Sequence, residues 1–123
     1  MHLDFDPNSA SLEQTTFDQF FKLDMRIGEI REASDFPEAR KPSFKLKIDF
    51  GPGIGIKKSS AQITHHYKSE DLIGKKIVAV VNFAPRQIGP FMSEVLVMGF
   101  SDSENNIVLF NLDKNVPNGS RLH

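Results

Sequence analysis

The stretch Val78-Ala-Val-Val-Asn-Phe-Ala-Pro-Arg-Gln-Ile-Gly-Pro-Phe-Met-Ser-Glu-Val-Leu-Val-Met-Gly99 indicates two strands joined by a stiff loop. Two apolar, β-branched runs, 77–83 and 95–98, flank a segment that holds two prolines and a glycine. Because both runs are apolar at consecutive positions, we expect each strand to be covered on both faces. The loop is a candidate binding element, because it carries polar residues where the chain must surface to turn: Arg86, Gln87 and Ser93.

Outside this stretch, alternation of apolar and polar residues predicts further strands at Met25–Arg31 and Phe44–Phe50. Two more strands are expected at 54–61 and in the apolar run 107–112. Gly28 indicates a bend or a bulge in the strand Met25–Arg31. A short helix is expected within Thr64–Ile73, after the third strand. This order favours an all-β fold with small helices, namely an OB-fold five-stranded Greek-key barrel with an N-terminal helix and a C-terminal strand extension.

The N-terminal residues 1–15 are polar and are expected to form a flexible arm, followed by one domain over 16–123. Ser11 or Thr16 would cap a short helix that runs to Lys22. This helix carries an apolar stripe that must cover something: Phe17, Phe20 and Phe21. The stripe could pack either on the end of the barrel or on a second subunit. The C-terminal strand 107–110 is a second place to expect subunit contacts.

The composition of the chain excludes several classes of protein. Its 123 residues fit one domain, and the absence of Cys excludes disulfides, thiol catalysis and Cys-ligated zinc. No signal peptide or membrane span is recognisable, so we expect a cytoplasmic protein that does not insert into membranes. The net charge of -1 hides a basic middle, since residues 22–68 carry ten Lys and Arg against six acids. That excess is compatible with a local anion-binding face or with a merely solvated surface.

We find no residues arranged for catalysis, and we expect neither a cofactor nor a metal. The adjacent His65 and His66 point to different sides of the chain and are interpreted as surface residues rather than as metal ligands. The glycine-rich segment Gly51–Gly55 lacks the Gly-Lys-Ser/Thr ending of a phosphate-binding loop and is interpreted as a turn. The chain is therefore not expected to be an enzyme.

Twelve loop and strand-end residues have the side chains that bind phosphate, 2′-hydroxyl groups or base edges: Arg40, Lys41, Lys45, Lys57, Lys58, Ser59, Ser60, Gln62, Asn82, Arg86, Gln87 and Ser93. Taken singly, Lys45 could simply lie on the solvent-exposed face of a strand. Three of the Phe and Tyr residues are candidates for base stacking, namely Phe36, Tyr67 and Phe91. Phe91 and Met92 would equally suit an apolar pocket for a peptide.

Five segments between Phe17 and Phe100 carry a resemblance to a family: Leu23–Ile30, Phe36–Lys41, Ile73–Lys76, Val81–Arg86 and Gly89–Ser93. They resemble the OB-fold tRNA-binding domain, which occurs free-standing and appended to methionyl- and tyrosyl-tRNA synthetases. Further segments are similar to the free-standing bacterial and archaeal CsaA proteins: Ala39–Gly51, Ser59–Thr64, Pro85–Ile88, Ser93–Val97 and 116–119.

This resemblance implies an OB barrel that forms a homodimer and binds tRNA by shape and backbone charge more than by sequence. It also implies a chaperone that acts on unfolded or exported client proteins. Two hypotheses therefore stay open. In one, the basic residues bind tRNA; in the other, Phe91 and Met92 bind peptides and tRNA binding is weak or vestigial.

Overall fold

The structure is a computed structural model that describes residues 5–123; residues 1–4 of the expected arm lie outside the described residues. Residues 5–16 form no helix or strand. The elements follow in the order α1 (Phe17–Phe20), β1 (Met25–Asp35), β2 (Phe44–Asp49), β3 (Ile56–Ala61), α2 (Ser69–Leu72), β4 (Lys76–Val80), β5 (Arg86–Ile88), β6 (Phe91–Ser93), β7 (Leu96–Val97), β8 (Gly99–Ser101) and β9 (Ile107–Leu109).

Five strands form an antiparallel sheet in the order β3-β2-β1-β4-β7. The two edges of this sheet meet, because the backbone N–H of Glu94 donates to the carbonyl of Lys58 at 2.8 Å. The hydroxyl of Ser59 donates to the carbonyl of Val95 at 2.9 Å across the same seam. The sheet is thereby nearly closed into a barrel, and the predicted all-β OB fold with small helices is confirmed.

Strand β4, which lies between β1 and β7, is covered on both faces, as its unbroken apolar sequence predicts. Ile77 and Ala79 pack into the barrel core with Leu46, Ile48 and Phe50. Val78 and Val80 face the other way and form a second apolar cluster with Met25 and Ile27. The strand ends at Val80 rather than at residue 83. The N–H of Val81 still donates to the carbonyl of Asp24 in the register of the β1–β4 ladder, and the chain then bends at residues 82–83.

The segment between β4 and β7 is a β-hairpin, where the sequence indicated only a stiff loop. Arg86 pairs with Ser93 and Ile88 pairs with Phe91 across a tight turn. Gly89 occupies the turn with φ of 53°, a backbone conformation that glycine adopts without steric cost. The hairpin is held against β3, because the N–H of Ser60 donates to the hydroxyl of Ser93.

The one or two helical turns expected within 64–73 are confirmed as a single turn, Ser69–Leu72. Two other expectations differ from the structure in detail. Strand β3 begins at Ile56, because Gly55 has φ of 85° and interrupts the extended run. Gly28 does not mark the bulge of β1, which lies between Ile30 and Glu32. A Cβ on Gly28 would lie 2.5 Å from Ile48 Cγ2, so glycine is needed there for close packing.

The chain termini lie against the first strand. Thr16 caps α1, as predicted, by accepting a hydrogen bond from the N–H of Gln19 at 3.2 Å. The C-terminal segment 119–122 pairs with residues 25–27 of β1, which β2 leaves unpaired, since the N–H of Ile27 donates to Ser120 O and that of Leu122 donates to Met25 O. Together with the hairpin β8–β9, this segment forms the predicted C-terminal extension.

Candidate nucleic-acid interface

The hairpin β5–β6 carries Phe91 onto the loop that follows β1. The rings of Phe91 and Phe36 meet edge to face, with their centroids 5.4 Å apart. Phe36 is 3% exposed, so the expectation that this ring stacks on a base is wrong: packing under the hairpin covers it. Phe91 is half-buried and forms the outer half of this aromatic pair.

Two lysines lie over these rings. The ammonium of Lys45 is 5.6 Å from the centroid of Phe36, and that of Lys58 is 5.3 Å from the centroid of Phe91. Such cation–π contacts contribute about 0.5 to 1 kcal/mol each at exposed sites and hold a flexible lysine in one place. We call Phe36, Phe91, Lys45 and Lys58 the lysine–phenylalanine cluster.

The charges of this cluster are not neutralised within the part of the chain that the structure describes. Neither Lys45 nor Lys58 forms an ion pair there, whereas the neighbouring Lys47 binds Glu32 at 3.3 Å. An aromatic face orients an ammonium group without cancelling its charge. The cluster therefore presents two fixed positive charges to a ligand.

The pairing of β2 with β3 decides which of the predicted residues share a face. Lys45 is opposite Ser60 and Lys47 is opposite Lys58, and all four lie on the outer face of the sheet. Lys57 lies opposite the buried Ile48 and belongs to the other face. The adjacent Lys57 and Lys58 therefore do not form a single basic patch.

Two of the predicted RNA-binding residues are used by the fold itself. Ser59 is fully buried, and its hydroxyl bonds Val95 across the seam of the barrel. Both ends of the Asn82 amide are occupied: its oxygen accepts from the N–H of Asp24 at 2.9 Å, and its nitrogen donates to the carbonyl of Lys22 at 2.8 Å. The assignment of Ser59 is thereby corrected, because a fully buried hydroxyl cannot reach RNA. Asn82 is exposed and keeps a second N–H group and a second lone pair, so its RNA-binding role stays a prediction.

The remaining hydroxyl and aromatic candidates have partly structural roles. Ser93 accepts a hydrogen bond from the N–H of Ser60 at 3.0 Å and so fastens the hairpin to β3. Glu94, which sequence reasoning missed, accepts from the N–H of Lys58 at 2.9 Å. The hydroxyl of Tyr67 accepts a hydrogen bond from the N–H of Leu109 at 3.0 Å, and the ring of Tyr67 is half-buried. The sequence contains no signal for these contacts, since each joins residues more than 30 positions apart.

The other predicted residues surround the cluster on loops. Arg86 and Gln87 are exposed on β5, and Met92 is exposed on β6. Arg40 is exposed in the loop 36–43, which the N–H of Ala39 closes by donating to Phe36 O. Lys41 and Gln62 both line a cleft of about 710 Å³ beside this loop. We call it the amide cleft, and its lining includes Lys41, Gln62, Thr64, His65, Asn106 and Ile107.

The described residues 5–123 contain no group of three or more metal-ligating side chains. His65 and His66 are both exposed, as predicted. His66 Nε2 lies 2.6 Å from a carboxylate oxygen of Asp102. None of the helices in this range is long and apolar enough to cross a membrane.

The strand order and the closure of the sheet place this chain in the OB class of barrels. Residues 25–121 match the tRNA binding domain family, and the chain belongs to that family. The match covers the barrel, the hairpin β5–β6 and the C-terminal extension.

Two solved structures are similar over their whole length. The chaperone CsaA of Bacillus anthracis is 47% identical and superposes with a TM-score of 0.84, covering 90% of this chain and 100% of that one. The CsaA chaperone protein of Picrophilus torridus is 50% identical with a TM-score of 0.83, covering 89% and 100%.

Curated relatives include much longer proteins. The methionine–tRNA ligase of Methanocaldococcus jannaschii is 33% identical over 111 residues, and that of Christiangramia forsetii is 36% identical over 102 residues. These matches cover 90% and 83% of this chain, which spans only 17% and 14% of the length of the two ligases.

Proposed function

We propose that this chain is a non-catalytic protein that binds tRNA by backbone charge and shape. The observation that carries the proposal is the pair of ammonium groups of Lys45 and Lys58 on the outer face of the barrel, which lie over aromatic rings and form no ion pair within residues 5–123. Phosphate contacts from Lys and Arg supply most of the sequence-independent affinity for nucleic acid. Membership of the tRNA binding domain family supports tRNA as the ligand.

The proposed surface extends from this cluster to cationic and polar groups on the neighbouring loops and strands. Ser60 lies beside Lys45 on the outer face, and Ser93 joins the hairpin to it. Hydrogen bonds from hydroxyl and amide groups would fix the register of the backbone. The loop groups are Arg40, Lys41, Gln62, Arg86 and Gln87.

The test is a titration of the purified protein with tRNA at several KCl concentrations. The logarithm of the association constant should fall linearly with the logarithm of salt, by about 0.7 to 0.9 for each phosphate that is contacted. A binding constant that does not change with salt would contradict the proposal.

The working form is proposed to be a homodimer, in which two copies of the surface face one tRNA. The exposed aromatic residues near the N-terminus support this. Helix α1 buries none of its residues, and Phe17 and Phe21 are 83% and 44% exposed. On the C-terminal hairpin, Phe100 stacks on Phe110 and is 64% exposed. Exposed apolar side chains that form a contiguous patch are typical of a protein–protein interface.

The double substitution Phe17→Ser with Phe21→Ser is expected to convert the dimer into a monomer. The substitution removes two exposed rings, and with them the apolar area that a second copy would cover in the dimer. Sedimentation equilibrium measures the mass, and Phe83→Ser, another exposed phenylalanine, is the control. A wild-type monomer, or a double variant that stays dimeric, would show that α1 is not the interface.

A second candidate function is that of a chaperone for unfolded or exported proteins, working in the cytoplasm. The similarity to two proteins described as CsaA chaperones favours it. The exposed Met92, at the edge of the lysine–phenylalanine cluster, is a suitable apolar contact for an extended peptide. Phe91 is a poorer probe, because it packs on Phe36 and its loss would disturb the hairpin.

If the chain is mainly a chaperone, Met92→Ser should weaken suppression of client aggregation several-fold while tRNA binding stays unchanged. Met92 is 37% exposed, so the substitution removes apolar contact area at little cost in stability. Light scattering of a heat-denatured client measures the effect, with Met98→Leu as a control that keeps the apolar character. Equal suppression by wild type and Met92→Ser would remove Met92 from the client site.

A further inference from the structure

The amide cleft lies beside the proposed phosphate-binding loop and is lined mostly by polar groups. Its volume of about 710 Å³ is within the range of small-ligand sites. The amides of Gln62 and Asn106 each offer a donor and an acceptor, and Lys41 offers a positive charge. The exposed imidazole ring of His65 provides a flat surface.

This combination of amides, a positive charge and a flat ring is suited to binding one nucleotide. Unpaired RNA bases are bound by stacking on aromatic rings, including histidine, and by hydrogen bonds to their edges. Amide side chains are suited to such edges, since one amide can donate and accept at the same base. An apolar peptide side chain would fit less well, because Pro42 and Ile107 supply little apolar lining.

The walls of the amide cleft are tied together. His66, next to His65, lies 2.6 Å from Asp102, which follows β8 on the opposite wall. The other carboxylate oxygen of Asp102 accepts the N–H groups of Glu104 and Asn106 at 3.0 and 2.9 Å. The hydrogen bond from the N–H of Asn106 and the contact with His66 lower the pKa of Asp102, so its charge stays in place to hold the turn.

We propose that the amide cleft binds one unpaired nucleotide of the RNA, with Gln62 and Asn106 at the base edge, His65 stacked on the base and Lys41 at its phosphate. This inference rests on the proposed RNA binding and adds to it a preference among bases. The lysine–phenylalanine cluster would read only the backbone, and the amide cleft would distinguish the bases of a single-stranded segment.

The test compares pentanucleotides of A, C or U as ligands for the wild-type protein, Gln62→Ala and His65→Ala, by fluorescence anisotropy. Wild type should bind one of the three preferentially. Gln62→Ala should bind that oligonucleotide about 5- to 150-fold more weakly and reduce the preference, since a good amide–base pair has that effect. His65→Ala should weaken all three, because stacking is tolerant of sequence. Gln14→Ala, at an exposed glutamine outside the amide cleft, is the matched control.

Failure of the inference is distinguishable from failure of the proposed function. Salt-dependent tRNA binding, together with equal affinity for the three oligonucleotides and no effect of Gln62→Ala, would overturn the nucleotide site alone. Absence of salt-dependent binding to any RNA would overturn both. An unfolded peptide that displaces the oligonucleotide and binds Gln62→Ala more weakly would assign the amide cleft to peptides instead. Thermal melting of each variant excludes a loss of folding as the cause.

Discussion

The double variant Lys45→Gln with Lys58→Gln is expected to bind tRNA about 25- to 60-fold more weakly than wild type at 0.1 M salt. Each phosphate contact contributes about 0.7 to 0.9 to the slope of log K against log salt. Over the tenfold range of salt concentration from 1 M to 0.1 M, the loss of two contacts therefore lowers the association constant by about 25- to 60-fold. The slope itself should decrease by about 1.4 to 1.8. Both lysines lie over rings, so glutamine removes the charge and keeps most of the packing.

The control for this experiment removes the same charge elsewhere. Lys22→Gln with Lys114→Gln changes two exposed lysines that lie outside the lysine–phenylalanine cluster. Because the net charge falls equally in both double variants, a general electrostatic effect would weaken the tRNA binding of both equally. Equal weakening, or an unchanged salt slope in the Lys45/Lys58 variant, would contradict the assignment of the cluster to phosphate binding.

The substitution Phe50→Ala is expected to lower the free energy of unfolding by about 3 to 5 kcal/mol, the range for loss of a buried aromatic side chain. Phe50 is 1% exposed and lies in the barrel core with Ile48 and Leu46. Its ring also fills the space above Gly28, where a Cβ would lie 2.6 Å away from it. Urea denaturation followed by circular dichroism measures the change.

The contact between Phe50 and Gly28 makes this prediction more specific. In wild type, Gly28→Ala should cost about 1 to 3 kcal/mol by overpacking. In the Phe50→Ala background the cost should fall without vanishing, because Ile48 Cγ2 would still lie 2.5 Å from the new methyl. Gly53→Ala, where a Cβ meets nothing within 4 Å, should leave stability close to wild type. Strictly additive losses would show that the barrel relaxes around the methyl.

The fold could be predicted from the sequence where a pattern is local. The alternation in 44–50 and the unbroken apolar run from Ile77 predict β2 and β4, and both strands are present. The hairpin β5–β6 could not be predicted, because its strands have three residues each and no regular alternation. Its position depends on Phe36 and Ser60, which are distant in sequence.

The same limit applies to the candidate surface. A basic or polar residue type indicates what a side chain can bind, but its availability depends on what surrounds it in the fold. Ser59 and Ser60 are adjacent and chemically identical, yet the first is buried in the seam and the second lies on the outer face. Lys57 and Lys58 likewise lie on opposite faces of the sheet, because successive side chains alternate along a strand.

The pairing of segment 119–122 with β1 has a consequence for synthesis on the ribosome. Arg26 donates to the carbonyl of Gly119, and the two residues are separated by 93 positions in the chain. At 5 to 20 residues per second, the nascent strand waits roughly 5 to 20 s before its partner is translated. During that interval, part of its edge has no native hydrogen-bond partners and is open to other unfinished chains. Pairing along this part of β1 is therefore a late step, which must follow translation of residues 119–122, well after the residues that close the barrel seam at 94–95.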